Sequence, residues 1–254
     1  MRSARRVQLQ PAYLLHHRPW RDSSRVVELH VREHGRVSLF AKGARRANHA
    51  WAPVLQPFLP LLVSWSGAGD GGTLTGAELD GAPVALPPAR LMSGFYLNEL
   101  QLKLLPRQDP HPEIYDAYAD ALGGLRAADA EARTLRLFEK RLLDALGYGI
   151  DYAHVAESGE PVEPAAYYHV GPERGVLGVA DDPGSPYAYR GADLLSLAAE
   201  ELHEPSGIAA ARRLLHGQLE TPLERRELGT RTVARAVRST GVGRTNRGDG
   251  ERSQ

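Results

Sequence analysis

One stretch constrains the fold of this chain more than any other: Ser24 to Arg46, SRVVELHVREHGRVSLFAKGARR. Val27, Leu29 and Val31 alternate with Glu28, His30 and Arg32. After Glu33-His34-Gly35 the alternation resumes, with Val37, Leu39 and Ala41 set against Ser38, Phe40 and Lys42. A period of two marks a strand with one buried face, and a glycine-containing break between two such runs makes a β-hairpin. The opposite face gathers His30, Arg32, Phe40 and Lys42, and Lys42-Gly43-Ala44-Arg45-Arg46 carries the charge past the strand end. Such a face can meet plain water, or it can meet a polyanion.

Charge is segregated in a way that the overall balance hides. The 254 residues hold 31 Lys+Arg and 31 Asp+Glu, yet residues 1–51 hold 11 basic and 3 acidic side chains, and residues 211–254 hold 10 and 5. The stretches between are acidic, with 4 basic against 9 acidic over 52–130 and 6 against 14 over 131–210. Basic ends around an acidic middle create a field that steers and holds phosphates. With 42% hydrophobic residues the chain has material for a real core. No run approaches the ~20 apolar residues of a membrane span, and MRSARRVQLQ lacks the apolar core of a signal peptide, so the expectation is a cytoplasmic protein with no membrane partner. The absence of cysteine excludes disulfides, thiolate nucleophiles and Cys-type zinc sites.

In chain order, Ala12 to His17 forms a short apolar strand before the hairpin. Phe58 to Trp65 and Gly72 to Glu78 follow as two more, with Pro60 pushing the first toward an edge. Five antiparallel strands in about 80 residues without helices between them fit a small closed barrel of the OB type, or a five-stranded sandwich fragment. Near Leu86-Pro87-Pro88 the spacing becomes helical, dividing residues 1–83 from a helical domain at 84–239. A buried helix is expected over Ala89–Leu105, with Leu91, Phe95, Asn98, Leu102 and Leu105 on its stripe and Met92, Leu97, Leu100 and Leu104 widening it. A second starts at Pro112 and closes at Gly123-Gly124, and a third runs from Asp129 to Leu146 with Gly147 as its cap. Residues 147–191 form an irregular insertion with short strands at Tyr167–Val170 and Val176–Val179. Helices return at Asp193–Leu202, at Ser206–Leu219 with Ser206 as cap, and around Pro222–Val237. The Gly/Arg-rich 240–254 is expected to be disordered. The fold class is thus α+β.

Catalytic chemistry has little to rest on. His16, His17, His30, His34 and His49 lack a paired acid, and His154 and His169 lack a third zinc ligand. Gly67-Ala68-Gly69-Asp70-Gly71-Gly72 has neither the Lys-Ser/Thr ending nor the following helix of a phosphate-binding loop, so it reads as a hairpin turn. Trp20, Phe40 and Trp51 stand close to Arg18, Arg21, Lys42, Arg45 and Arg46, and each can be either core or a base-stacking platform.

LLHHRPWRDSSRVVELHVREHGRVSLFAKGARR, LQPFLPLLVSWSG, SGFYLNELQLKLL and LLDALGYG, in that order from about Tyr13 to Leu228, resemble the RecO family of DNA repair and recombination mediators. The resemblance implies an N-terminal OB-fold on a helical domain and no bond-making catalysis. It also implies binding of single- and double-stranded DNA, annealing of complementary strands and, with RecR, loading of RecA onto DNA covered by single-strand-binding protein. Many family members carry a four-cysteine zinc motif after the LGYG segment. This chain has no cysteine there, so neither metal nor cofactor is carried over. The matching RVSLFAKGARR segment implies Arg36, Lys42, Arg45 and Arg46 as DNA contacts. Charge placement adds Arg21, Arg25 and Arg32, and the polar strand face adds Phe40. For the acidic, apolar-ended tail of single-strand-binding protein the candidates are Arg212, Arg213, Leu215, Leu223, Arg225 and Arg226, where guanidiniums stand beside leucines at helical spacing. The competing readings are an OB-fold RNA binder and a protein adaptor acting through its helices. Because no cysteine is available, protein purified without a histidine tag should contain no stoichiometric zinc, and its melting temperature should be unchanged by a chelator. Zinc at one per chain with a melting drop on chelation would overturn this.

Overall fold

The computed structural model describes residues 6–233 apart from 47–49, 52, 68–69, 84, 128–129, 224–227 and 231. Five strands open the chain: β1 (Arg6–Trp20), β2 (Ser24–Val31), β3 (Gly35–Ala41), β4 (Pro60–Ser66) and β5 (Gly72–Leu79). They close on one another in a ring in the order β1-β2-β3-β5-β4 and back to β1, an OB-like arrangement. β1 is far longer than Ala12–His17 because it serves both neighbours, pairing through residues 12–20 with β2 and through residues 6–13 with β4. Register shifts between Val7 and Gln10 and between Leu14 and His16 supply the bends that let one strand wrap the ring. The alternation read from sequence holds inside: Leu14, Val27, Leu29, Val31, Val37, Leu39, Val63, Trp65 and Leu74 fill the ring. Closure rests on a short parallel pairing of β3 with β5, Leu39 opposite Gly72 and Phe40 opposite Thr73. Two hydrogen bonds extend it, Gly71 N–H to the Ser38 carbonyl (2.9 Å) and Ser38 N–H to Asp70 Oδ1 (3.0 Å).

A single 3-10 turn at Pro88–Arg90 leads into the helices α1 (Leu91–Leu104), α2 (Pro112–Arg126) and α3 (Glu131–Ala145). The stripe expected on α1 is corrected at its start: Leu91, Met92 and Phe95 are exposed, whereas Leu97, Asn98, Leu100 and Leu105 are buried as expected, joined by Gly94 and Gln101. Hydrophobicity alone gave Gln101 no place on this face, although it is fully buried and hydrogen-bonded. Nor does α2 stop at Gly123-Gly124. It runs on to Arg126, and Gly124 meets Thr134 of α3 so closely that a Cβ has no room, which makes the glycine a packing residue and not a terminator. Gly147 does cap α3, with φ +79° and the Tyr148 N–H returned to the Leu143 carbonyl at 2.9 Å.

The stretch 147–191 is more regular than expected. β6 (Tyr167–Gly171) and β7 (Gly175–Val179) fall where the sequence put strands, and β8 (Ala188–Arg190) completes a sheet of order β7-β6-β8. Tyr168, Val170 and Val176 pass from this sheet into the helical core, and Tyr152 donates to Gln218 Oε1 at 2.7 Å. Then come α4 (Gly191–Ala198), ending before Leu202, and α5 (Pro205–Glu220). Ser206 does not cap α5. Glu204 holds that position without a side-chain bond, and Ser206 Oγ donates instead to Asp193 at 3.2 Å. Of the helix expected at Pro222–Val237 only parts are described, and the carboxylate of Glu99 on α1 accepts from the N–H groups of Gly229 (2.8 Å) and Thr230 (2.9 Å) there. The 240–254 tail lies outside the described residues.

The ring and the helices meet along a buried polar seam. Asn98 Nδ2 donates to the Leu15 carbonyl of β1 (2.9 Å), its Oδ1 accepts from the Tyr118 hydroxyl, and Tyr13 packs its ring 5.1 and 5.0 Å from those of Tyr115 and Tyr118. Gly35, at φ +66°, lies against the backbone of Asp109, an approach that only glycine permits. His30 is fully buried in this seam, not on an open face as the alternation suggested. Its Nδ1–H donates to Gln101 Oε1 at 2.7 Å, Nε2 has no hydrogen-bond partner among the described residues, and Tyr115 stands edge-on at 5.6 Å.

Burial pushes the His30 pKa down from 6.5 to about 4, opposed by its bond to Gln101 and more weakly by Glu113, and reinforced by His111. The folded value lies below the unfolded one, so the stability contributed by neutral His30 is complete above the unfolded pKa and drains away as pH falls toward the folded one. Between pH ~7.5 and ~5 the loss should be on the order of 2 kcal/mol. Denaturant melts of wild type and His30→Gln at the two pH values test this. The variant should show a flatter dependence, and parallel curves would exclude His30 as the source.

Candidate nucleic-acid interface

Pairing registers decide what stands on the outer face of the ring away from the seam. Residues opposite one another share a face. Arg18 is opposite Val26, Val26 opposite Phe40 and Phe40 opposite Thr73, while Trp20 is opposite Ser24. Lys42 follows Phe40 by two positions and continues the same face. The result is an open cleft of about 660 Å³ lined by Trp20, Arg21, Ser23, Ser24, Phe40, Lys42, Gly43, Arg46 and Thr73. Three cations ring it, and no carboxylate lines it among the described residues. Trp20 remains 37% exposed with its ring 5.5 Å from that of Phe40, and the Arg18 guanidinium lies 5.6 Å from its centre. Gly43 turns at φ +73°, swinging Arg45 and Arg46 back toward the Arg21–Ser23 turn, where the Arg45 N–H reaches the Ser23 carbonyl at 3.0 Å.

Of the eight expected DNA contacts, the fold therefore brings four together: Arg21, Phe40, Lys42 and Arg46. Arg45 is exposed beside them, and its Nη1 supports the turn by donating to the Arg21 carbonyl (3.1 Å). Arg25 is half-buried opposite Pro19 and the ring-core residue Ala41, on the face of the sheet away from Val26 and Phe40, and it does not line the cleft. Arg32 and Arg36 are elsewhere, and their assignment to an open basic face is corrected. Arg32 makes a two-pronged contact to Asp116 of α2 (3.0 and 2.7 Å), and that hydrogen bond holds the Asp116 carboxyl below its ordinary range. Arg36 donates to the Leu102 carbonyl of α1 at 2.7 Å, and burial lowers its pKa. Both arginines fasten the helices to the ring. Trp51 packs on the ring core, whereas Trp20 joins the cleft. Thr73, Ser23 and Ser24 could have been found only from the strand register.

Among the described residues, the peptide pocket expected in the helical domain does not assemble. Leu215 and Leu223 are 0% and 4% exposed and belong to the helical core, so neither can line an open groove. Arg212 is exposed, but Arg213 lies 4.5 Å over the Tyr189 ring and donates to the Ala188 carbonyl. Arg225 and Arg226 lie outside the described residues. Nor do the side chains of 147–191 suit zinc: His154 Nδ1 is bonded to Asp151 (2.9 Å), and among the described residues no three His, Asp or Glu side chains converge as ligands. No helix among the described residues is long and apolar enough to cross a membrane.

Comparison with known families gives this geometry a context. The family model Recombination protein O N terminal matches residues 6–81, and Recombination protein O C terminal matches residues 87–232. The chain belongs to the RecO family. DNA repair protein RecO of Alkalilimnicola ehrlichii is 43% identical over 242 residues, which cover 94% of this chain and 95% of the relative. The protein of the same name from Nitrosococcus oceani is 41% identical over 236 residues, covering 93% and 96%. Membership makes this a RecO protein of DNA recombination repair, in a family of non-catalytic mediators and not of enzymes.

The split between cleft and seam arginines has a measurable consequence. Arg36→Ala leaves the Leu102 carbonyl without its charged donor and should cost about 1 to 3 kcal/mol of stability while leaving the salt dependence of DNA binding as it was. A change in salt slope without loss of stability would return Arg36 to the DNA-contacting surface.

Proposed function

We propose that the protein is a DNA-binding recombination mediator whose open cleft on the ring holds the sugar-phosphate backbone of single- and double-stranded DNA through Arg21, Lys42 and Arg46, with Arg45 at its margin. The observation that carries this reading is the convergence of three exposed cations from two separate turns on one face, with no carboxylate among the lining residues. Such a set neutralises phosphates whatever the sequence, as a protein that must act anywhere on a chromosome requires. Annealing of complementary strands, cooperation with RecR, recognition of the acidic tail of single-strand-binding protein and indirect assistance to RecA belong to the same proposal, and family membership supports them. They are the partners expected for a mediator of this kind in the bacterial cytoplasm and nucleoid. With Leu215 and Leu223 buried, the tail would have to engage a surface other than the leucine–arginine pocket.

The test is titration of wild type and of the combined Arg21→Ala, Lys42→Ala, Arg46→Ala variant with single-stranded DNA, duplex DNA and RNA of equal length at several salt concentrations. The variant should bind every DNA sequence more weakly, and the slope of log affinity against log salt should become shallower by roughly 2 to 3. An unchanged slope in a folded variant would remove the cleft from the footprint. Preference for RNA would favour an RNA-binding role.

A further inference from the structure

The cations of the cleft account for phosphate binding, but they do not account for its aromatic floor. Val26 is almost fully buried and belongs to neither of the two cores: it faces outward, flanked in register by Arg18 and Phe40. Phe40 is half-buried beside it, and Trp20 tilts against Phe40 at 51° with more than a third of its surface left open. A purely electrostatic groove has no use for this apolar patch on a solvent-facing sheet surface, because phosphates are recognised by charge and N–H donors.

Resting on the DNA-binding reading above, we infer that Trp20 and Phe40 form a subsite for one unpaired nucleobase, and that this subsite makes the cleft favour single strands over duplex. The chemistry fits in three respects. The cleft volume of about 660 Å³ lies in the range that takes a molecule the size of a nucleotide. Arg21, Lys42 and Arg46 share the cleft with the rings, as a base and its flanking phosphates require. The Arg18 guanidinium over Trp20 is a displaceable occupant, because an exposed cation–π contact is weaker than the stacking of a base. Within a duplex each base already has its faces covered by its neighbours, so only a base free of its stack can use the Trp20 surface. Every base has a π-face, so the subsite selects for strandedness without selecting for sequence.

The experiment compares three ligands of equal length and charge per strand: a thymidine oligonucleotide, the same backbone with abasic positions, and a duplex. Each is titrated against wild type, Trp20→Ala, Trp20→Leu and Trp20→Phe, all verified as folded by their melting curves. Trp20→Ala should lose roughly tenfold in affinity for the thymidine strand, about 1.4 kcal/mol, within the range for one stacked base. It should bind the abasic strand and the duplex as wild type does, with the salt slope intact. Trp20→Phe should recover most of the loss. Trp20→Leu, apolar but without a π-face, should not. Equal weakening toward all three ligands, recovery by leucine, or no effect of any substitution would overturn the subsite while leaving phosphate binding standing. Failure of wild type to bind any of the three would overturn the DNA-binding reading itself, and the subsite with it.

Discussion

The amide of Asn98 fixes how the two halves of the molecule meet. Its nitrogen reaches a main-chain carbonyl of the ring, and its oxygen takes the hydroxyl of Tyr118 from the next helix. A buried amide has a limited set of satisfying geometries, and leaving one side unmatched costs about 1 to 3 kcal/mol. The apolar contacts around Tyr13 supply adhesion, but adhesion tolerates sliding. The hydrogen bonds of Asn98, and of His30 with Gln101, specify a single docking. That docking covers one end of the outer β2–β3 face and leaves the other open, so the seam decides where the cleft can be.

Much of the fold was legible from alternation and from turn residues. The hairpin from Ser24 to Ala41 falls where period two puts it, and so do the ring interior and the glycine cap after α3. What escaped were positions where a residue answers to a partner distant in sequence. His30 read as outer-face polar because its neighbours alternate with it, and nothing local announces Gln101, 71 residues away. Gly123-Gly124 read as a stop because glycine weakens helices, whereas Gly124 is there to admit Thr134. On α1 the apolar residues of the first turn read as buried but face out, and Gln101, buried to receive His30, carried no local signal.

The candidate site shows the same division. Counting charge located the basic region but could not separate arginines facing solvent from those already engaged. Arg32 and Arg36 look identical in sequence to Arg21 and Arg46. Asp116 and the Leu102 carbonyl distinguish them, and both arrive from helices that begin only after Leu86. Net charge per segment therefore overstates the field available to a polyanion, since cations neutralised at a domain seam contribute little beyond it.

The short β3–β5 pairing bears on the independence of the ring. Between these strands only two residue pairs stand in register, and the remaining N–H of Ser38 is satisfied by the side chain of Asp70. Asp70 is in turn gripped by Arg107, which also holds Glu28 and lies in the segment after α1. One of the fastenings that close the ring is thus supplied by the helical half. The N-terminal half is best regarded as a bracelet whose clasp is held shut from outside, and that clasp lies beside Phe40 and Thr73, at the rim of the cleft. Cut away from its helices, the N-terminal half would lose definition first at the place where it meets its ligand.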